Sequence, residues 1–166
     1  MKNRFFNMNL AGGALLDIGV YALSIVRSFM TEKPADIVSQ WKPSPAGSDE
    51  QAAILLKNKD GQMATVALSL HSKQPKRAMI SCEKGYIEIM EYPRADRAKI
   101  VDASTGEKKE ISCGKTEDAL FYEMTDMERA VESGDETEMY LNYTKDVMDI
   151  MTGLRREWGL KYPEEM

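Results

Sequence analysis

Between Arg4 and Phe29 the apolar residues Leu15, Leu16, Ile18, Val20, Leu23, Ile25, Val26 and Phe29 recur so closely that they cover most of a helical circumference. That pattern predicts a helix buried on nearly all sides. Thr31-Glu32-Lys33-Pro34 then supplies polar residues and a proline, so the helix should end near Met30. Ala35 to Trp41 reads as a strand, and Pro43, Pro45 and Gly47 as a loop. Gln51–Lys57 and Gln62–Leu70 flank Asn58-Lys59-Asp60-Gly61, a hairpin signal, with Ala64, Val66, Leu68 and Leu70 alternating against polar neighbours. Arg77–Cys82 with Tyr86–Glu91 around Lys84-Gly85, and Lys99–Asp102 with Lys109–Ser112 around Ser104-Thr105-Gly106, predict two further hairpins. Thr116 is positioned to cap a helix that runs to Ser133 and stops at Gly134. A last helix from Asn142 puts Val147, Met151, Leu154 and Trp158 on one stripe before Gly159.

Successive hairpins demand an antiparallel sheet, because parallel strands need crossover helices. The predicted fold class is therefore α+β: a predominantly antiparallel, open-faced sheet with helices packed on one face. At 166 residues the chain is long enough for a single domain, 1–166, with a real core. The methionine and aromatic content allows an oligomer interface on the open sheet face.

Charge narrows the partners. The net charge of −5, with no Lys/Arg stripe interleaved with aromatics, argues against nucleic acid. Cys82 and Cys113 form no CxxC and have no histidine cluster nearby, so no metal site or disulfide scaffold is expected. The apolar run of the first helix is read as too short to cross a bilayer, and it carries Asp17; no membrane partner and a cytoplasmic location are the expectation. His71, at a strand end, is read as a solvated loop residue. Met124, Met127, Met148 and Met151 are read as core filler, and Glu132–Glu138 as a solvated connection.

The chemistry concentrates in the first segment. A carboxylate on a buried helix is costly unless it is paired, hydrogen-bonded or facing a cleft, so Asp17 asks for a reason. Tyr21 lies one turn on and shares its face. Gly12 and Gly13 precede them where backbone must approach something closely or bare its N–H groups. Spacing alone favours a structural hydrogen bond that holds a buried helix in register.

The string Ala11-Gly12-Gly13-Ala14-Leu15-Leu16-Asp17-Ile18-Gly19-Val20-Tyr21, after Arg4-Phe5-Phe6-Asn7, resembles the signature that opens the catalytic half of the glucose–fructose oxidoreductase, inositol dehydrogenase and rhizopine-catabolism (Gfo/Idh/MocA) family, which includes the dimeric dihydrodiol dehydrogenases. The usual Gly-Gly-Gly is here Ala11-Gly12-Gly13. The resemblance covers nearly the whole chain but only the second half of a family protein. It implies hydride transfer between NAD or NADP and a sugar, polyol or related hydroxyl or carbonyl compound. It also implies catalytic roles for Asp17 and Tyr21, with Arg4, Gly12 and Gly13 lining the cleft. A phenol ordinarily titrates near about 10 and needs a cationic neighbour to act as a base. In the family that neighbour is a lysine in the nucleotide-binding half. Glu32-Lys33-Pro34 imitates the family's lysine tripeptide, but it follows the signature helix instead of preceding it, so Lys33 is read as an exposed turn residue.

No GxGxxG and no βαβ alternation occur, so NAD or NADP is not expected to bind this chain alone. Two readings follow. One is the substrate-binding and oligomerisation half of an oxidoreductase, with a nucleotide-binding domain supplied separately. The other is a non-catalytic module that keeps the fold for small-ligand binding or self-assembly.

Overall fold

The computed structural model describes residues 3–165, with the side chain of Glu138 left out. It contains two compact units: a first that runs through Gln74 and resumes at Asn142, and a second, Pro75–Leu141.

In the first unit, β1 (Asp36–Pro43), β2 (Asp49–Lys57) and β3 (Met63–Ser69) form an antiparallel sheet in chain order. Its register aligns Ile37 with Leu56 and Ala64, Ser39 with Ile54 and Val66, and Trp41 with Ala52 and Leu68, so these nine residues share one face. That face carries the core: Ala52, Ile54, Leu56, Val66 and Leu68 are buried. The segment after the glycines packs on β3, first as a single π-helical turn, Leu15–Gly19, and then as α1 (Val20–Phe29).

The first segment is buried along one stripe, not all round. Ala14, Leu15, Gly19, Ala22 and Leu23 are sealed, whereas Leu16, Ile18, Val20, Ile25 and Val26 are half-buried and Phe29 is exposed. A three-stranded sheet can cover only one side of a helix, which is why the all-round apolar pattern overstated the burial. The stretch Met8–Phe29, at 22 residues and mean hydropathy 1.5, is also long and apolar enough to cross a membrane by length and composition, against the expectation from its central run. Here its buried side packs on β3.

The last helix closes the same core. Val147, Ile150, Met151 and Leu154 of α3 (Leu141–Glu157), which follows the second unit's helix α2 (Ala119–Ser133), are buried. Trp158 stacks on Trp41 with ring centroids 5.4 Å apart and donates its indole N–H to Ser39 Oγ at 2.8 Å. Arg27 of α1 reaches α3, donating from Nε to Asp146 at 2.7 Å and stacking on Tyr143. The opposite sheet face leaves Val38, Leu55 and Met63 exposed, so the open-faced arrangement is real.

The second unit is a separate antiparallel sheet: β4 (Arg77–Cys82), β5 (Gly85–Met90), β6 (Arg97–Asp102) and β7 (Lys108–Ser112), followed by α2. The predicted sheet is therefore two sheets, though both are antiparallel and the α+β class stands. No residue of α2 is buried, so Met124 and Met127 are exposed, as is Met148 of α3; of the four methionines read as core filler only Met151 is buried. Thr116 does not cap α2; its hydroxyl donates to the Arg94 carbonyl. Cys82 and Cys113 are free and exposed.

Candidate functional site

Local sequence builds the entry to the signature out of two short 3-10 turns. Asn3 and Asn7 each accept a backbone N–H two residues on, from Phe5 and Asn9, which sets the turns Arg4–Phe6 and Met8–Leu10. Ala11 then turns left-handed, with φ 50°. The chain doubles back so tightly that a Cβ at Gly12 would lie 2.6 Å from the Arg4 carbonyl oxygen and 2.8 Å from the Asn7 nitrogen. Gly13, at φ +145°, faces the carboxylate of Asp49, where a Cβ would overlap Oδ1. Both glycines are buried. The close approach they permit is to the protein's own backbone and to Asp49, which replaces the reading in which they open toward a ligand.

Doubling back brings Arg4 over the signature. Its Nη2 lies 3.2 Å from Asp17 Oδ1, and the two side chains keep 69% and 26% of their surface exposed. Asp17 therefore escapes the cost of burial by pairing at the rim rather than inside. It sits in the π-helical turn, a rare conformation that concentrates at functional sites. Tyr21 begins its own turn further along α1 and is half-exposed. Arg4, Asp17 and Tyr21 thus present an ion pair and a phenol on the solvent side of a helix whose other side is core. Lys33 lies exposed in the helix-to-strand connection, as read from the sequence.

Two groups of residues were missed. Beneath the loop, Asp49 is fully buried; its Oδ2 accepts the Leu15 N–H at 2.6 Å, and burial pushes its carboxyl up to about 6. Beside it, Tyr162 is buried and donates its hydroxyl to the Gly12 carbonyl at 3.2 Å, while burial, with the nearby Asp49 charge, pushes the phenol up to about 12. His71 is exposed in the loop after β3, as read from the sequence, but it has neighbours. Its Nδ1 lies 3.3 Å from Oε2 of the buried Glu50, and its ring lies 4.8 Å from Phe6. A hydrogen bond from Lys42 is the main force holding Glu50 below the usual carboxylate range. The available signal was Asp49-Glu50-Gln51, three polar residues opening a strand that is otherwise apolar up to Lys57.

Among the described residues no group of His, Cys, Asp and Glu could hold a metal ion. A cavity of about 250 Å³ lies within the second unit, lined by Arg94, Cys113, Lys115 and Tyr122 among others, and contains no signature residue.

Comparison with known proteins now adds to the geometry. Residues 1–88 match the family model described as GFO/IDH/MocA C-terminal domain. A trans-1,2-dihydrobenzene-1,2-diol dehydrogenase of Danio rerio is 24% identical over 173 aligned positions, 98% of this chain and 51% of the relative. Among solved structures, an aldose-aldose oxidoreductase from Caulobacter crescentus, complexed with glycerol, aligns with TM-score 0.72 at 19% identity over 94% of this chain and 49% of its own. KijD10, a 3-ketoreductase from Actinomadura kijaniata solved with NADP and TDP-benzene, aligns with TM-score 0.75 at 15% identity over 93% of this chain and 48% of its own. At such identities the structural likeness concerns the fold. The chain spans about half the length of these relatives. The signature residues and the matched family model agree, and the chain belongs to the GFO/IDH/MocA family, to which it corresponds as the C-terminal domain.

Proposed function

We propose that this chain is the substrate-binding half of an NAD(P)-dependent oxidoreductase acting on a sugar, a polyol or a related hydroxyl or carbonyl compound. The observation that carries this reading is the solvent-side grouping of Arg4, Asp17 and Tyr21, three polar side chains that the core does not use. The relatives named above, a diol dehydrogenase, an aldose oxidoreductase and a ketoreductase, support the same substrate class.

A dinucleotide needs a strand, a glycine-rich turn and a helix whose free N–H groups hold the pyrophosphate. Every strand pair among the described residues is antiparallel. At the Gly12-Gly13 turn, the N–H groups of Gly12 and Leu15 are spent on Asn7 and Asp49. These residues do not fit the cofactor, so a separate nucleotide-binding domain is proposed to hold it, and the isolated chain is proposed to be inactive.

On this chain's side, the Tyr21 hydroxyl exchanges a hydrogen bond, and in turnover a proton, with the reacting hydroxyl of the substrate. Asp17, oriented by Arg4, accepts a hydrogen bond from a neighbouring hydroxyl and fixes the substrate's orientation. Self-association through the face bearing Val38, Leu55 and Met63 is proposed alongside, on the strength of their exposure. A cytoplasmic location is proposed from the two free, exposed thiols.

The test is to fuse a family nucleotide-binding domain ahead of Arg4 and screen polyols and aldoses for NAD(P)H formation, with Asp17→Asn and Tyr21→Phe as controls. Micromolar NAD(P)H binding by the isolated chain would contradict the division of labour.

A further inference from the structure

The core beneath the signature holds charges that a passive core would not. Asp49 is fully buried, arrives from β2, and takes the Leu15 N–H on one oxygen, while its other oxygen, Oδ1, has no hydrogen-bond partner and fills the space that a side chain at Gly13 would need. The charged and titratable groups that face it are Arg155 from α3 and Tyr162 from the segment after α3. The Arg155 guanidinium lies 4.5 Å above the Tyr162 ring, pairs through Nη2 with Glu165, and buries an Nε that has no partner either. Glu165 in turn accepts the Tyr162 N–H at 2.9 Å. Tyr162 closes the ring of contacts on the Gly12 carbonyl.

From there the connection to the outer face is one hydrogen bond long. The Asp17 N–H donates to the Gly13 carbonyl at 3.3 Å, so whatever fixes Gly13 fixes the backbone of Asp17. A carboxylate at the first turn of a helical segment also stabilises its unpaired N–H groups.

We propose that Asp49 and Tyr162 are positioning residues for the signature: a buried clamp that holds the Gly12-Gly13 turn from beneath and thereby sets where Asp17 meets Arg4. The proposal rests on reading Asp17 and Tyr21 as the substrate-facing groups, and it assigns the specificity of their placement to residues that never touch substrate. It also accounts for the glycine at position 13, which the resemblance alone had assigned to ligand access.

The titration of Asp49 offers a readout that simple packing would not move. The backbone amides of Gly13, Leu15 and Asp17 in the 166-residue chain are followed by NMR from about pH 5 to about pH 7, in the native sequence and in Asp49→Asn, which keeps an acceptor for the Leu15 N–H but cannot ionise. The expected result is that the three amides shift together with one midpoint near about 6, and that in the folded variant this transition disappears. Tyr162→Phe serves if Asp49→Asn does not fold. It should displace the Gly12, Gly13 and Asp17 amides while leaving those of β4–β7 unmoved. Amides that keep native positions in both variants, or that do not move across this range in the native chain, would overturn the clamp. Because the experiment reads the loop and not turnover, a fused enzyme that oxidises no polyol would contradict the functional reading without altering this result.

Discussion

Asp17 and Asp49 are two carboxylates on opposite sides of one turn, and almost everything about them differs. Asp17 lies at the rim, balanced by the exposed Arg4 side chain at 3.2 Å. Asp49 is sealed beneath, balanced by a backbone N–H at 2.6 Å and held up near 6 by desolvation. The exposed pair costs the fold little and is free to meet a ligand. The sealed one is costly, and it can act only on the chain that covers it. The same residue type thus does two jobs, and burial decides which.

The largest effect should come from removing the space between the two. Gly13→Ala puts a methyl group where Asp49 Oδ1 stands, in a backbone conformation, φ +145°, that side chains rarely adopt. The expected loss is on the order of 3 kcal/mol or more, enough to unfold a marginal chain. Urea denaturation of the Gly13→Ala, Asp49→Ala double variant should recover part of that loss, because the collision is gone while the backbone strain remains.

Next comes pH. The Asp49 carboxyl binds its proton up to about 6 in the folded chain against an ordinary 3.8, so between those values the folded state holds more protons than the unfolded. Its contribution to stability is then full below about 3.8 and is lost as pH rises through about 6, by roughly 3 kcal/mol at the standard 1.4 kcal/mol per pH unit. Urea midpoints measured across this range should show the decline, and Asp49→Asn should flatten it. Asp102, in the second unit, sharpens the contrast. The Ser104 side chain, then the Thr105 and Ser104 backbone N–H groups, hold it down to about 2, so its contribution is present above about 3.8 and fades as pH falls toward 2. The two windows do not overlap.

Tyr162→Phe deletes a single buried hydrogen bond and leaves the Gly12 carbonyl unpaired, which should cost about 1–2 kcal/mol in a thermal or urea melt. Arg4→Ala should cost least, below about 0.5 kcal/mol, because its partner remains at the rim where water can replace it. A large destabilisation by Arg4→Ala would break the comparison, since it would make the outer pair structural.

The contrast also explains what the sequence disclosed. Hairpin turns at Asn58–Gly61 and Lys84-Gly85 are local signals, and β2–β3 and β4–β5 formed where they pointed. Asp17 and Tyr21 share a short segment, and resemblance grouped Arg4 with them; the structure pairs Arg4 with Asp17. Asp49 touches residues 34 positions away and Tyr162 reaches 150 positions back, so no window along the chain could pair them with the glycines. Whether a helix is covered on one side or two depends on which strands join which sheet, which is why Phe29, Met124 and Met127 turned out exposed. The pairing of exposed His71 with Glu50 went unseen for the same reason, buried Glu50 lying on another strand.

The central claim is that the exposed side of the signature is the substrate side, and turnover in a fused two-domain protein tests it most directly. The account predicts polyol- or aldose-dependent NAD(P)H formation that falls at least about a hundredfold in kcat with Tyr21→Phe, within the usual range for losing a proton-transfer group. Asp17→Asn should chiefly raise KM. Undiminished turnover in both variants would contradict it.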